Sequence, residues 1–317
     1  MRFAGNLRTT LVELWHIANS SALIVDGPTP SVSYFPQRRS LFVLQIWHTT
    51  AMVRRFAWQC PDFVDGQDSQ LARALRRHAG YSKVLVASSL LQESYRHAFR
   101  IARSRIEVLP LPRVDALRNP DMNRIDFLMA ENAELFSFAL RVVYAPAPHE
   151  VSLAQEVQKE RLEALVRAAK NHDALLMVKD ESLEALQEGD DSLQVIDSPN
   201  LMLNPDFDDL DLLAMADHVI SDYNDFIFEA AVAAKPLWFY FDEASDGIRA
   251  QGLNFDPQQY LPHLCFRDAA ELMDALSSAP LPSAEQEELI AHFVQAPEKI
   301  GITSAKRIAR LVLQSIQ

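Results

Sequence analysis

Two stretches of this chain place side chains that could do chemistry. The first is Val219–Phe241, VISDYNDFIFEAAVAAKPLWFYF. It reads as an apolar strand ending at Asp222, a tight turn through Tyr223-Asn224-Asp225, a helix, a break at Pro236 and a buried strand. Asn224 is the expected N-cap. Ile227, Ala230, Ala231 and Ala234 recur at helical spacing as the inward face. In an open parallel sheet, ligands sit beyond the carboxyl ends of the strands, and a helix N-terminus there attracts phosphate. The turn is therefore a candidate diphosphate site. Asn224 could offer an amide donor. Asp225 would take up backbone N–H groups itself and repel a diphosphate. The second stretch is Leu41–Trp47, an apolar strand running into His48, with Arg54 and Arg55 close behind. An imidazole within ~3 Å of a hydroxyl can take its proton near neutral pH. A strand-end histidine paired with a carboxylate is the other reading.

The elements that must position these residues alternate between strand and helix. The expected strands are Ala22–Asp26, Leu41–Trp47, Lys83–Ser88, Ile106–Leu109, Arg141–Tyr144, Ala174–Lys179, Leu193–Ile196 and Val219–Ser221, then the strand after Pro236. The expected helices are Asn6–Asn19, Gln67–His78, Leu90–Ile101, Ser152–Asn171, Leu210–Ala216, 268–277, 283–296 and Ser304–Ile316. The first of these would carry Leu7, Leu11, Leu14 and Ile17 on one face. Such alternation implies parallel sheets with crossover helices. Pro110, Pro112 and Pro120 mark a loop, and a linker is expected near 118–140. Two domains follow, 1–138 and 139–317, with the last helix packing back toward the first domain.

Composition narrows the class. With 49% hydrophobic and 23% charged residues the chain is globular rather than disordered. The net charge of −13 is uneven. Residues 1–120 hold 16 Lys+Arg against 8 Asp+Glu, and residues 121–317 hold 14 against 35. A basic first part suggests an anionic partner, with Arg54, Arg55, Arg73, Arg76 and Arg77 as contacts. A solvated basic surface is the alternative. Two cysteines, Cys60 and Cys265, give no disulfide framework and fit a reducing cytoplasm. The first residues lack the apolar core of a secretory signal, and no apolar run is long enough to span a bilayer. G-x-G-x-x-G, P-loop, H-E-x-x-H and paired C-x-x-C motifs are absent. Eight glycines fall well below the usual ~7%, so any phosphate must be held by helix N-termini and basic side chains. No cofactor, metal or nucleic-acid partner is indicated.

Five motifs in order then carry a resemblance. They are Trp47-His48-Thr49-Thr50-Ala51, Leu111-Pro112-Arg113-Val114-Asp115, Val143-Tyr144-Ala145-Pro146-Ala147-Pro148, Ser221 to Glu229 followed by Lys235-Pro236, and Gly252-Leu253-Asn254-Phe255-Asp256. Together they resemble the CDP-glycerol glycerophosphotransferases, the primases and polymerases of teichoic acid synthesis. The resemblance runs from about residue 20 to residue 277. It implies an α/β fold of two Rossmann-like domains in a GT-B-like arrangement, with the site in the cleft between them and the N-terminal domain shortened. It also implies His48 as the general base. Residues 1–138 would be the acceptor side, with Arg54 and Arg55 as acceptor contacts, and 139–317 the donor side.

The donor set implied is Arg113, Lys179, Asp222, Tyr223, Asn224, Asp225 and Glu229. The chain departs from the family pattern in several places. Thr49 and Ala51 replace a glycine and a proline after His48. Glu181 stands where a second histidine belongs and is the second catalytic candidate, as base or hydroxyl orienter; a solvated glutamate is the other reading. Asn224 and Asp225 replace two serines. The reading that follows is a transferase moving glycerol phosphate, or a related polyol phosphate, from a CDP-linked donor. Its acceptor would be an anionic polymer or a lipid-linked molecule. It would work in the cytoplasm, with peripheral contact at the inner membrane face. A GT-B glycosyltransferase using another nucleotide-linked donor, or a non-catalytic relative, are the alternatives.

Overall fold

The computed structural model describes residues 7–60, 69–147, 155–179, 198–203, 207–241, 246–278, 284–294 and 303–316. The chain forms two compact units. One holds residues 1–51, 55–112 and 292–317, the other 52–54 and 113–291.

The first unit is built on four parallel strands, β1 (Ala22–Val25), β2 (Phe42–Gln45), β3 (Lys83–Val86) and β4 (Ile106–Val108), in that spatial order. β2 is buried along its whole length, as the apolar run Leu41–Leu44 requires of an inner parallel strand. The helix Ser304–Ser315 lies against it. The helix Leu7–Asn19 forms as expected. Of its proposed inner face Ile17 is buried and Leu11 is exposed. Of the expected helix Gln67–His78, the described residues form a helix over Ser69–Ala74 and then turns.

Among the described residues the second unit has six parallel strands: β5 (Leu140–Ala145), β6 (Ala174–Val178), β7 (Leu201–Leu203), β8 (His218–Ser221), β9 (Leu237–Tyr240) and β10 (Cys265–Phe266). Their order is β10-β9-β8-β5-β6-β7. The chain enters at β5, steps outward through β6 and β7, then returns to β8 on the other side of β5. The order reverses between β5 and β8, which is the switch point where Rossmann-type sheets open a ligand crevice.

The strand expected at Leu193–Ile196 lies outside the described residues. Two strands not foreseen from the sequence, β7 and β10, pair with β6 and β9 respectively. The segment 118–140 is helical rather than a linker, with helices at Pro112–Arg118 and Met122–Glu131. Its prolines read as breaks, but Pro112 opens a helix, where a missing N–H costs nothing. Asp121 caps the next helix by accepting from the N–H groups of Asn123 and Arg124. Arg124 then grips Asp211 through two bonds of 2.7 and 2.5 Å. That pair joins the helix Met122–Glu131 to the helix Asp209–Met215, which packs on β5. These contacts place 113–138 with the second unit, so the division falls at Pro112/Arg113 and not at 138/139, and 292–317 pack with the first unit.

Candidate functional site

His48 is presented by a device at the end of β2. Gln45, fully buried, donates to the Gly27 carbonyl at 3.0 Å and accepts the Trp47 N–H at 2.8 Å. One glutamine thus ties the loop after β1 to the end of β2. Trp47 has φ +53°, a left-handed conformation that costs roughly 1–2 kcal/mol for a non-glycine residue. Its indole is buried against Phe56, His78 and Phe99, with ring centroids 5.2–5.9 Å apart. That packing holds the turn, and His48 emerges exposed. Its Nδ1 lies 3.2 Å from the Asp26 carbonyl. A carbonyl only accepts, so Nδ1 carries the proton in this bond and Nε2 keeps its lone pair. Nε2 is the atom able to take a proton. Gln45 and Asp26 do not stand out in the sequence, because a polar residue inside an apolar strand has no motif.

In the second unit, the switch-point turn is stitched together by its own side chains. Asp222 accepts from the N–H groups of Ala147 at 2.6 Å and Tyr223 at 2.5 Å, joining the ends of β8 and β5. Burial pushes its carboxyl up from the ordinary value, against the pull of Arg161 and Arg54. Tyr223 is buried and stacked on Phe241 at 5.0 Å, and burial raises its phenol pKa, so it stays neutral. The Asn224 amide donates to the Pro146 carbonyl at 2.7 Å, and its oxygen accepts from the Phe226 N–H at 3.0 Å. The N-cap position of the helix Phe226–Val232 is held by Asp225 and not by Asn224 as expected; Asn224 precedes it, and its side chain accepts the Phe226 N–H. All seven residues of that helix are buried, not one face alone, and Ala234 is exposed beyond its end.

Asp225 departs from expectation. Its carboxylate does not cap its own helix; it accepts from the Val53 N–H at 2.6 Å. Residues 53 and 54 belong to the second unit for the same reason. Val53 O accepts from Asn254 and Phe255, and Arg54 pairs with Leu253. Arg54 therefore sits beside Asp225, whose charge it favours. Burial outweighs that help and pushes the Asp225 carboxyl up to about 6. A raised acid pKa means the folded protein keeps a proton that the unfolded chain has lost. Stability tied to this group is present below the unfolded value near 4 and is lost as pH rises to about 6. Asp225→Asn keeps an acceptor for Val53 without the charge. It should raise Tm at pH 7–8, by on the order of 1–3 kcal/mol of stability, and leave it unchanged near pH 4. Thermal melts of both proteins from pH 4 to 8 check this, and equal Tm differences at both ends would contradict it.

Around the same strand ends lie the cations. Arg113, at the start of the helix Pro112–Arg118, forks onto Glu229 with both contacts at 2.6 Å and reaches Asp209 at 2.7 Å. Lys179, just past β6, pairs with the other oxygen of Asp209 and lies 5.6 Å from the Phe226 ring centroid. Arg113, Lys179 and Glu229 are thus brought together, with Asp209 between the two cations. Asp209 escapes notice in the sequence because an acid in the first turn of a helix reads as a dipole partner. Burial raises the Glu229 carboxyl despite Arg113 and Lys179. Glu181 lies outside the described residues. Lys235 serves the fold, donating to the carbonyls of Ala214 and Ala216 at the end of a helix. Of the other arginines, Arg77 is buried, while Arg55, Arg73 and Arg76 are exposed. Among the described residues no cluster of His, Cys, Asp or Glu could hold a metal ion, and Cys60 and Cys265 form no disulfide.

Comparison with known proteins places this geometry. The profile of the CDP-Glycerol:Poly(glycerophosphate) glycerophosphotransferase family matches residues 6–314. The teichoic acid ribitol-phosphate primase of Bacillus spizizenii is 23% identical over 283 residues, covering 87% of this chain and 70% of that protein. The teichoic acid glycerol-phosphate primase of the same organism is also 23% identical, covering 86% and 70%. Among solved structures, the wall teichoic acid polymerase TagF superposes with a TM-score of 0.70 at 18% identity, covering 93% of this chain and 72% of that one. The UDP-GlcNAc 2-epimerase of Methanocaldococcus jannaschii follows the same fold, with a TM-score of 0.57 at 14% identity, covering 98% and 84%. The family profile covers nearly the whole length, and the fold is that of TagF: the chain belongs to the CDP-glycerol:poly(glycerophosphate) glycerophosphotransferase family.

Proposed function

We propose that this protein transfers glycerol phosphate, or a related polyol phosphate, from a CDP-linked donor to a hydroxyl of a teichoic-acid-like or lipid-linked acceptor. The observation that carries the reading is the set Arg113–Lys179 beyond β5 and β6, next to the β5/β8 switch point. Two cations at that place suit a diphosphate. A variant of TagF soaked with CDPG has the same fold, with a TM-score of 0.68. In the proposed step the acceptor oxygen attacks the phosphorus that bears the polyol. The bond to the bridging oxygen breaks, and CMP leaves. The acceptor proton passes to His48 Nε2. Arg113 and Lys179 hold the diphosphate and balance the charge that gathers on the leaving group. Asp222 and Asn224 shape the turn rather than donate to the ligand. The test is CMP release from CDP-glycerol with a glycerol-phosphate-terminated acceptor. Release that depends on acceptor supports the reading; none, with donor and acceptor both in excess, refutes it.

The same reading includes contact with an anionic surface at the inner face of the membrane. No helix among the described residues is long and apolar enough to cross a bilayer. The helix Leu7–Asn19, however, exposes Leu11, Val12 and Trp15, the last at 63%. An exposed tryptophan on an amphipathic helix suits the interface between headgroups and acyl chains. Arg55, Arg73 and Arg76 supply exposed positive charge in the same unit. Binding to phosphatidylglycerol vesicles should weaken with salt and fall several-fold in Trp15→Ala. Binding that ignores both changes would remove the membrane contact.

A further inference from the structure

Asp209 is placed as a phosphate would be. Its Oδ2 lies 2.7 Å from Arg113 Nη2, and its Oδ1 pairs with Lys179 Nζ. One carboxylate thus answers two cations on two oxygens, the pattern in which a phosphoryl group is gripped. The same Arg113 Nη2 also donates to a second carboxylate, Glu229 Oε2, at 2.6 Å, with Nε 2.6 Å from its Oε1. The two acids differ in burial. The Glu229 side chain is 5% exposed, inside a fully buried helix, whereas that of Asp209 is 28% exposed. Glu229 cannot leave Arg113 without opening the core. Asp209 can swing outward, and its helix does not depend on it, because Asp208 supplies the N-cap by accepting from the Asp211 N–H at 2.8 Å.

We propose that Asp209 is an internal counter-ion standing in the donor's diphosphate position, which the donor must push aside, while Glu229 is the positioning residue that keeps Arg113 aimed. This rests on the donor reading given above. It has a consequence for specificity. A ligand with a single weak negative charge gains little by replacing a carboxylate already held by two cations. A diphosphate, with more charge and more acceptor oxygens, gains enough to displace it. Asp209 therefore lowers affinity for all anions and selects for the diphosphate class.

Calorimetric titration of the full chain decides the matter, using CDP-glycerol and, separately, inorganic pyrophosphate. Asp209→Asn should tighten both about 10-fold and lower the donor KM, because charge-assisted contacts of the cations are freed for the ligand. Glu229→Gln should weaken both, and Glu229→Asp should recover more affinity than Glu229→Gln. Asp209→Ser, equally uncharged, serves as the second variant and should tighten as Asp209→Asn does. Unchanged or weaker binding in both Asp209 variants overturns the proposal. If CDP-glycerol binds the wild type and the variants do not tighten it, the counter-ion proposal fails and the donor reading stands. If pyrophosphate tightens while CDP-glycerol binds neither protein, the donor reading fails and the counter-ion stands.

Discussion

His48→Ala should lower acceptor-dependent turnover by ~10²–10⁴, the range typical for loss of a general base, while Tm stays within a degree or two. The asymmetry follows from the geometry. His48 is exposed and bonds the Asp26 carbonyl at 3.2 Å, whereas the neighbouring Trp47 carries the packing. Donor affinity should hardly change, since the proposed donor contacts are Arg113 and Lys179. His48→Asn can restore the hydrogen bond to Asp26 but not the basic nitrogen, so it should remain as slow as alanine. Steady-state rates of CMP release, with donor titrations of each variant, check this. Wild-type turnover in His48→Ala would make the histidine structural.

Arg113→Met should damage both stability and donor binding. It strands Glu229, which is nearly sealed from water, without a counter-charge. Removing one partner of a fully buried pair costs about 3–5 kcal/mol. Arg113 itself is about a third exposed and Glu229 can take up a proton, so roughly 2 kcal/mol is expected here. For a unit of this size that is a Tm fall of ~4–8 °C. Adding Glu229→Gln to Arg113→Met should return part of the lost Tm, since the stranded charge is then gone. Donor affinity should drop roughly 10–100-fold in both proteins, the value of a charge-assisted contact. A full recovery of donor binding in the double variant would show that Arg113 serves the fold alone.

These two residues also show how far the sequence could be read. Strand ends were legible wherever an apolar run met a polar residue. Leu41–Trp47 announced His48, and Val219–Ser221 announced Asp222, because parallel strands are buried on both faces. The turn from Asp222 to Asp225 could be placed but its hydrogen bonds could not. Asp225 was expected to serve its own helix and instead accepts from Val53, 172 positions away. Arg54 looked like half of a basic pair with Arg55, yet it joins the second unit through Leu253 and Asn254. Arg77 looked like surface charge and is buried, donating to the Tyr34 hydroxyl at 3.3 Å. Asp209 was missed for the complementary reason. Its partners Arg113 and Lys179 are distant in sequence, and only the fold of the sheet brings the three together. Local pattern reports local structure; ion pairs across long loops leave no periodic trace.

The assignment of the donor site is tested most directly by a structure of the wild-type protein with CDP-glycerol at saturating concentration. Density for the diphosphate is expected between Arg113 Nη2 and Lys179 Nζ, beside the ends of β5 and β8, with the Asp209 carboxylate swung away from both. Diphosphate density at any other place, or an empty site at a concentration where calorimetry shows binding, would contradict it.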